Sequence, residues 1–186
     1  IIWCYETGGR ATSFFPKKHD TIFWYIKSSN YVFNYDSICL ERDPSTMHEK
    51  VLYDEEGKPY QQNIKHGKKY RYYLHKGVLP NDWWVDLQAI NPAAKERLGY
   101  PTQKPESLLE GIIRASSNEG DIILDPFCGC GTTVTVSEKL KRKWIGIDIT
   151  HLAISLMRNR LGDTFGNQVK YEVVGEPTDL KGAEEL

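Results

Sequence analysis

The chain has 186 residues, 26% of them charged, and a formal net charge of -1. That length suits one compact domain, or one carrying an insertion, with room for a sizeable core. Near-neutrality excludes recognition of nucleic acid through the field of the whole molecule, so any such contact has to come from local clustering of the 24 basic side chains. No apolar run reaches the length of a membrane span.

The first residue is Ile1, and "IIWCYE" begins in the middle of what reads as a strand; both ends of the chain look cut. A second aromatic and β-branched run, "HDTIFWYIKS", predicts the partner strand of a long-loop hairpin, and residues 1–35 form one unit on this reading. Residues 36–90 mix charges without clean periodicity and read as an insertion. Residues 91–186 differ in character. Leu108, Leu109, Ile112 and Ile113 stand at helical spacing, behind Pro105 at a first-turn position and ahead of Asn118 and Gly120 as a stop. "DIILDPF" then predicts a strand buried on both faces, as in a parallel sheet. "TTVTVSEKL" follows as a helix, "KWIGIDI" as a strand, "HLAISLMRNRL" as a helix and "QVKYEVVG" as a third strand, and "GEPTDLKGAEEL" reads as the start of another helix. Alternating units of this kind predict a doubly wound α/β sheet, whose ligand sits beyond the carboxyl ends of the strands.

The sharpest signal is "LDPFCGCGTTVTVSEKLKRKWIGIDI". Gly129 and Gly131 permit positive φ where strand turns into helix, the helix start at Thr132 and Thr133 presents free N–H groups, and Asp148 stands where an acid would accept from ribose hydroxyls. A Gly-x-Gly pair alone would be only a tight turn. Strand, glycine turn, helix, strand and acid in succession point to a nucleoside-type ligand. The dinucleotide fingerprint fits poorly, because Val134 stands at its third glycine. Cys128 and Cys130 lack the spacing and the second ligand pair that structural zinc requires, so no metal is expected there. The four cysteines are scattered behind no secretory leader and read as reduced thiols in a cytoplasmic setting.

These residues together resemble a known family. "GYPTQKPESLLEGIIRASSNEGDIILDPFCGCGTTVTVSEKLKRKWIGIDI" is similar to the cofactor half of the β-type DNA amino-methyltransferases, the N6-adenine or N4-cytosine enzymes in which the S-adenosylmethionine motifs come last. Pro101 to Pro105 matches the family's motif before the first strand, Asp125 to Gly131 its glycine loop, and Ile147-Asp148 its second-strand acid. "IIWCYETGG" and "FPKKHDTIFWYIKS" resemble the last strands of its catalytic half.

The resemblance implies a Rossmann-like S-adenosylmethionine-dependent methyltransferase fold, here an incomplete sheet with an inserted recognition segment. It implies S-adenosylmethionine as cofactor, held around Thr102, Gln103, Lys104, Asp125, Pro126, Phe127, Cys128, Gly129, Gly131, Thr132, Thr133 and Asp148. Asp125 would take the ammonium, Lys104 with Thr102 and Gln103 the carboxylate, and Asp148 the ribose. Double-stranded DNA is the implied partner. The basic, aromatic stretch "IKHGKKYRYYLHK" lies where the family keeps its target-recognition insertion, and Lys65, Lys68, Lys69, Arg71 and Lys76 are the candidate phosphate contacts. A solvated edge hairpin with its tyrosines inward would read the same. Arg10, Lys17, Lys18 and His19 are lesser candidates for that surface.

The chain departs from the family at one point. The Asp/Asn/Ser-Pro-Pro-aromatic tetrapeptide that carries the transfer is absent, so no catalytic residue is assigned. In the family order that motif precedes "IIWCY", and its loss would leave "DIILDPF" with an open apolar edge for an upstream segment, or a second copy, to cover. Two other readings remain open on sequence alone. RNA guanine-N2 methyltransferases carry a similar loop but place a Pro-Pro motif after it, and the 55 residues following Gly131 contain none. A non-catalytic nucleic-acid-binding fragment is the other.

Overall fold

The structure, a computed structural model, describes residues 1–6, 11–42 and 50–175. It falls into three small sheets and a helical layer. The first sheet joins β1 (Ile2–Cys4), β2 (His19–Thr21) and β6 (Trp83–Trp84) in the order β2-β1-β6, with β2 antiparallel and β6 parallel to β1. The hairpin expected from the first 35 residues is thus present, but its second strand is shorter than the sequence suggested. Beyond Thr21 the chain carries one more bond of that register, Ile22 N to Ile1 O, and then leaves the sheet. Its aromatic side chains find each other instead: Trp24 lies 5.5 Å from the rings of both Tyr31 and Phe33. High β propensity made residues 22–26 look like strand; with no partner strand beside them among the described residues they are not.

The second sheet is an antiparallel meander of β3 (Leu52–Tyr53), β4 (Pro59–Lys65) and β5 (Lys68–Tyr73). His66 and Gly67 join β4 to β5 with φ of 51° and 76°, a two-residue turn in which both positions are left-handed, matching the twist of the strands. Order of this kind inside residues 36–90 was not visible as periodicity. The reason is that both faces of the meander are largely wet, so no apolar/polar alternation is imposed.

The remaining elements follow the sequence closely. α1 (Glu106–Ser116) buries Leu108 and Ile113 from its apolar stripe. Its far end is held by Ser116 and Ser117, whose hydroxyls donate back to Ile112 O and Ile113 O, and by Asn34, whose side-chain Nδ2 donates to Ser117 O, Asn118 Oδ1 and Arg114 O at 2.9, 3.1 and 3.2 Å. β7 (Ile122–Asp125) pairs in parallel with β8 (Lys143–Gly146) across α2 (Thr132–Lys139), a strand-helix-strand unit. α3 (His151–Phe165) is capped by Thr150, whose hydroxyl accepts from Ala153 N at 3.2 Å.

The core of this half is Cys128, Val134, Met157 and Leu161, closed by Trp144, Ile154 and Phe165. Each aliphatic side chain buried in this way contributes roughly 1.5–3 kcal/mol. α2 packs onto β8 where the strand has Gly146: a Cβ there would meet Val134 Cγ2 at 2.9 Å, so the missing side chain sets how closely helix and strand approach.

Two expectations for this half need correction. β7 is not buried on both faces; α2 packs on this two-stranded sheet, while the face that carries Ile122, Leu124 and Ile145 is left open, at 65%, 58% and 51% exposure. Among the described residues β7 also has β8 along one edge only. "QVKYEVVG" forms no strand. Tyr171 lays its ring 6.1 Å from Trp144, and that contact rather than a ladder holds the segment. The doubly wound sheet is therefore represented by one two-stranded parallel unit. The C-terminal helix start lies, from residue 176 on, outside the described residues.

Candidate functional site

The glycine loop between β7 and α2 is built by its own backbone. Gly129 and Gly131 have φ of 51° and 76°, as the turn from strand to helix requires. A Cβ on Gly131 would lie 2.5 Å from Met157 Cγ, so this residue also lets α3 close against the loop. Cys128 N donates to Ile147 O at 3.0 Å and Gly131 N to Cys128 O at 2.8 Å, which pins the loop to the segment after β8. Gly131 is the residue before α2 and has no side chain to cap it, so the first-turn N–H groups of the helix have no intrahelical acceptor.

Opposite this loop stands the segment that runs into α1. The two enclose a cavity of about 220 Å³, and nine of the twelve residues predicted for the cofactor line it: Thr102, Gln103, Lys104, Asp125, Phe127, Cys128, Gly129, Thr132 and Thr133. Asp125 accepts from Phe127 N at 3.1 Å, which fixes its carboxylate at the mouth of the turn. Gln103 is spent on the chain itself, accepting from Leu98 N at 2.9 Å and donating to Glu96 O. Lys104 reaches across to the first sheet, 3.2 Å from Asp20 Oδ2 and 5.7 Å from the centre of the Trp3 ring. Phe127 is 88% exposed, a bare ring at the cavity's rim.

Asp148 stands apart from those nine. It lines a second cavity, of about 650 Å³, between the end of β8, α3 and the segment around Tyr171, with Ile149 fully outside at its edge. Asp148 Oδ2 accepts from Gly129 N at 3.0 Å, so this acid is the bridge between the two cavities. Its Oδ1 takes Thr150 N and Oγ1, both at 2.9 Å. Burial pushes the Asp148 carboxyl up, but the hydrogen bonds from Thr150 and Gly129 win and hold it below the usual carboxylate range. Pro126 and Gly131 shape the loop without lining either cavity.

Burial raises the Cys128 thiol from 9.0 to about 11, with the Asp125 and Asp148 charges adding to the shift. It is a neutral, inert wall of the site. Among the described residues no group of three His, Cys, Asp or Glu side chains is placed to hold a metal ion. Tyr100, Leu109 and Cys130 also line the first cavity, and sequence reading missed them as site residues. Tyr100 presses its ring where a Gly129 Cβ would sit, a contact no local pattern announces.

Four of the five predicted phosphate contacts lie on the meander, and it divides them. Facing pairs in the ladder share a side of the sheet, so Lys65 and Lys68 lie on one side with Tyr70 and Tyr72, while Lys69 and Arg71 lie on the other. Arg71 sits 5.0 Å over the ring of Tyr60, which is buried. Lys76 follows in a single 3-10 turn, Leu74–Lys76. Tyr70 and Tyr72 are 44% and 36% exposed, so the tyrosines are not all turned inward. Lys17, Lys18 and His19 are described at the other sheet; Arg10 lies outside the described residues.

A strand, an uncapped helix start behind two left-handed glycines, and a second strand followed by an acid tied back to the loop follow one another here, the order expected of a nucleoside-type cofactor site on an α/β unit. The chain belongs to the N6/N4 family of DNA methylases, whose model matches residues 1–159. It is 37% identical over 163 residues to the DNA adenine methyltransferase YhdJ of Escherichia coli (strain K12), covering 87% of this chain and 51% of that protein. It is 35% identical over 166 residues to the type II methyltransferase M.HpaI of Haemophilus parainfluenzae, covering 89% and 45%. Among solved structures, the M1.HpyAVI–SAM complex superposes with a TM-score of 0.37 at 30% identity, over 55% of this chain and 44% of that one. The chain thus spans about half the length of the curated relatives it matches. No helix among the described residues is long and apolar enough to cross a membrane.

Proposed function

We propose that this chain is the cofactor-binding half and part of the DNA-recognition surface of a site-specific DNA methyltransferase, one that methylates the exocyclic amino group of adenine (N6) or cytosine (N4). The observation that carries the reading is the cavity between residues 101–105 and the glycine loop, in a chain of this family. Its donor set suits S-adenosylmethionine. The open N–H groups of α2 and the Lys104 ammonium favour a carboxylate, the Asp125 carboxylate favours an ammonium, and Asp148 beyond the loop favours hydroxyls. Bound there, the cofactor supplies an activated methyl group. The chain's own part is to hold and orient it, with the exposed Phe127 ring shielding the mouth from water.

The division into 1–35, 36–90 and 91–186 belongs to the same proposal, with the β3-β4-β5 meander as the recognition element for double-stranded DNA. Lys65 and Lys68 face each other directly across the ladder, an arrangement that costs stability in isolation and suits a surface that meets a polyanion. An upstream segment carrying the Pro-Pro-aromatic motif, or a second copy of the chain, pairs with the open edge of β7 and covers the face on which Ile122 and Leu124 are exposed.

Calorimetry on the complete protein tests the reading. Wild type takes up S-adenosylmethionine and its demethylated product, and Asp125→Ala weakens both by tenfold or more. No binding heat from a folded wild type would sink the assignment.

A further inference from the structure

Arg160 lines neither cavity, yet it grips both walls of the first one from behind. α3 buries one face through Ala153, Met157, Arg160 and Leu161, and Arg160 keeps only 5% of its surface exposed. A guanidinium in such a place demands partners for its donors. Nη1 donates to Thr132 Oγ1 at 2.9 Å and lies 3.8 Å from Cys130 Sγ; Nη2 donates to Glu106 Oε1 at 2.9 Å. Thr132 opens α2 and lines the cavity. Glu106 opens α1, two residues after Lys104 on the opposite wall. The other Glu106 oxygen takes Lys139 Nζ at 2.6 Å, from the last turn of α2. Burial pushes the Glu106 carboxyl up, but hydrogen bonds and charge from Lys139 and Arg160 hold it below its ordinary value, so it stays an anion between two cations.

The planar fork is what makes this link. Two donors on one rigid group reach the starts of two different helices, which a single ammonium on a flexible stem does not do. The start of α1 and the start of α2 are therefore tied together by one buried side chain, with the Lys139–Glu106 pair as a second, more exposed link.

We infer that Arg160 is a positioning residue for cofactor binding, acting through Thr132 and Glu106 to fix the separation of the two cavity walls; this rests on the reading of that cavity as the cofactor site. An ordinary structural ion pair would lower stability and affect every activity alike. A positioning residue affects the cofactor selectively.

The complete protein, as wild type and as Arg160→Met, Arg160→Lys and Glu106→Gln, is assayed by calorimetry with S-adenosylhomocysteine, by anisotropy with duplex DNA, and by steady-state kinetics. Arg160→Met is expected to weaken S-adenosylhomocysteine at least tenfold and Glu106→Gln about threefold, with Arg160→Lys between them. Duplex affinity stays within twofold, and KM for the cofactor rises while KM for DNA does not. Cofactor affinity within twofold of wild type in a folded Arg160→Met protein overturns the inference, as does an equal loss for cofactor and DNA. If Arg160→Met does not fold, the other two variants decide by the same criterion. A wild type that binds no cofactor removes the cavity assignment and this inference together, whereas unaffected variants of a binding wild type remove the inference alone.

Discussion

The unit from α1 to α3 and the β3-β4-β5 meander are built on opposite principles. Leu108, Ile113, Cys128, Cys130, Val134, Val136, Ala153, Met157 and Leu161 are all buried in the first, whereas Tyr60 is the buried hydrophobic residue of the second. In one, shape is enforced by side-chain packing between the helices and one face of the β7-β8 pair. In the other it comes from ladder hydrogen bonds and one two-residue turn, which leaves the side chains free to meet something else. A site that holds a small ligand needs the first kind of rigidity, and a surface that follows a long polymer can use the second.

Two glycines with the same backbone angle give the sharpest way to break that contrast. Gly131 and Gly67 both have φ of 76°, but an added methyl meets Met157 at the first and nothing within 4 Å at the second. Gly131→Ala is expected to cost about 2–4 kcal/mol, combining left-handed strain with overlap in a packed core. Gly67→Ala is expected to cost about 1–2 kcal/mol, from the strain alone. Chemical denaturation of both variants measures the difference; equal losses would mean that the loop is no more tightly packed than the hairpin tip.

A smaller effect concerns the meander's charges. If all five predicted cations, four on the meander and Lys76 just after it, met phosphates, the log-log salt slope of DNA affinity would be about -4.5. Because the sheet turns Lys65 and Lys68 away from Lys69 and Arg71, a shallower slope is expected. Lys68→Ala should reduce it by about 0.9 while leaving the unfolding free energy nearly unchanged. Salt titrations of binding decide this, and an unchanged slope removes Lys68 from the DNA face.

The smallest effect is a pH dependence confined to the packed unit. The folded Cys128 thiol stays protonated up to about 11, against 9.0 ordinarily. Its contribution is complete below the unfolded value and is lost as pH rises through that window, because the unfolded chain ionises first. Stability should decline from pH 9 to 11 in wild type and less so in Cys128→Ala. At pH 8 a thiol reagent should label the half-buried Cys4 and Cys39 before Cys128.

The same contrast explains what was legible in the sequence. α1, the glycine loop, α2 and α3 were readable because their signals are local: a stripe at 108, 109, 112 and 113, or glycines at 129 and 131. Strands at 22–26 and 168–175 were misread because apolar, β-branched composition describes a residue's own preference, and a strand also needs a neighbour's backbone. Most of the residues that line or brace the first cavity were found through motif order. Tyr100 and Arg160 were not, since each acts across a gap in sequence that no spacing rule bridges. Arg160 did leave a trace, as a cation standing in the otherwise apolar row 153, 157, 161.

Asn34 offers a consequence for the ageing of the molecule. Its one amide group gives two hydrogens to three oxygens gathered at the close of α1. Hydrolysis of that amide in storage would replace both donors by a second acceptor, turning a clasp into four oxygens in mutual repulsion. A mass gain of about one dalton at this position would then be accompanied by loosening of the segment around residue 34, which would keep the bonds from Asn34 N to Ala115 O and from Ser37 Oγ to Arg114 O, while the helical half keeps its core.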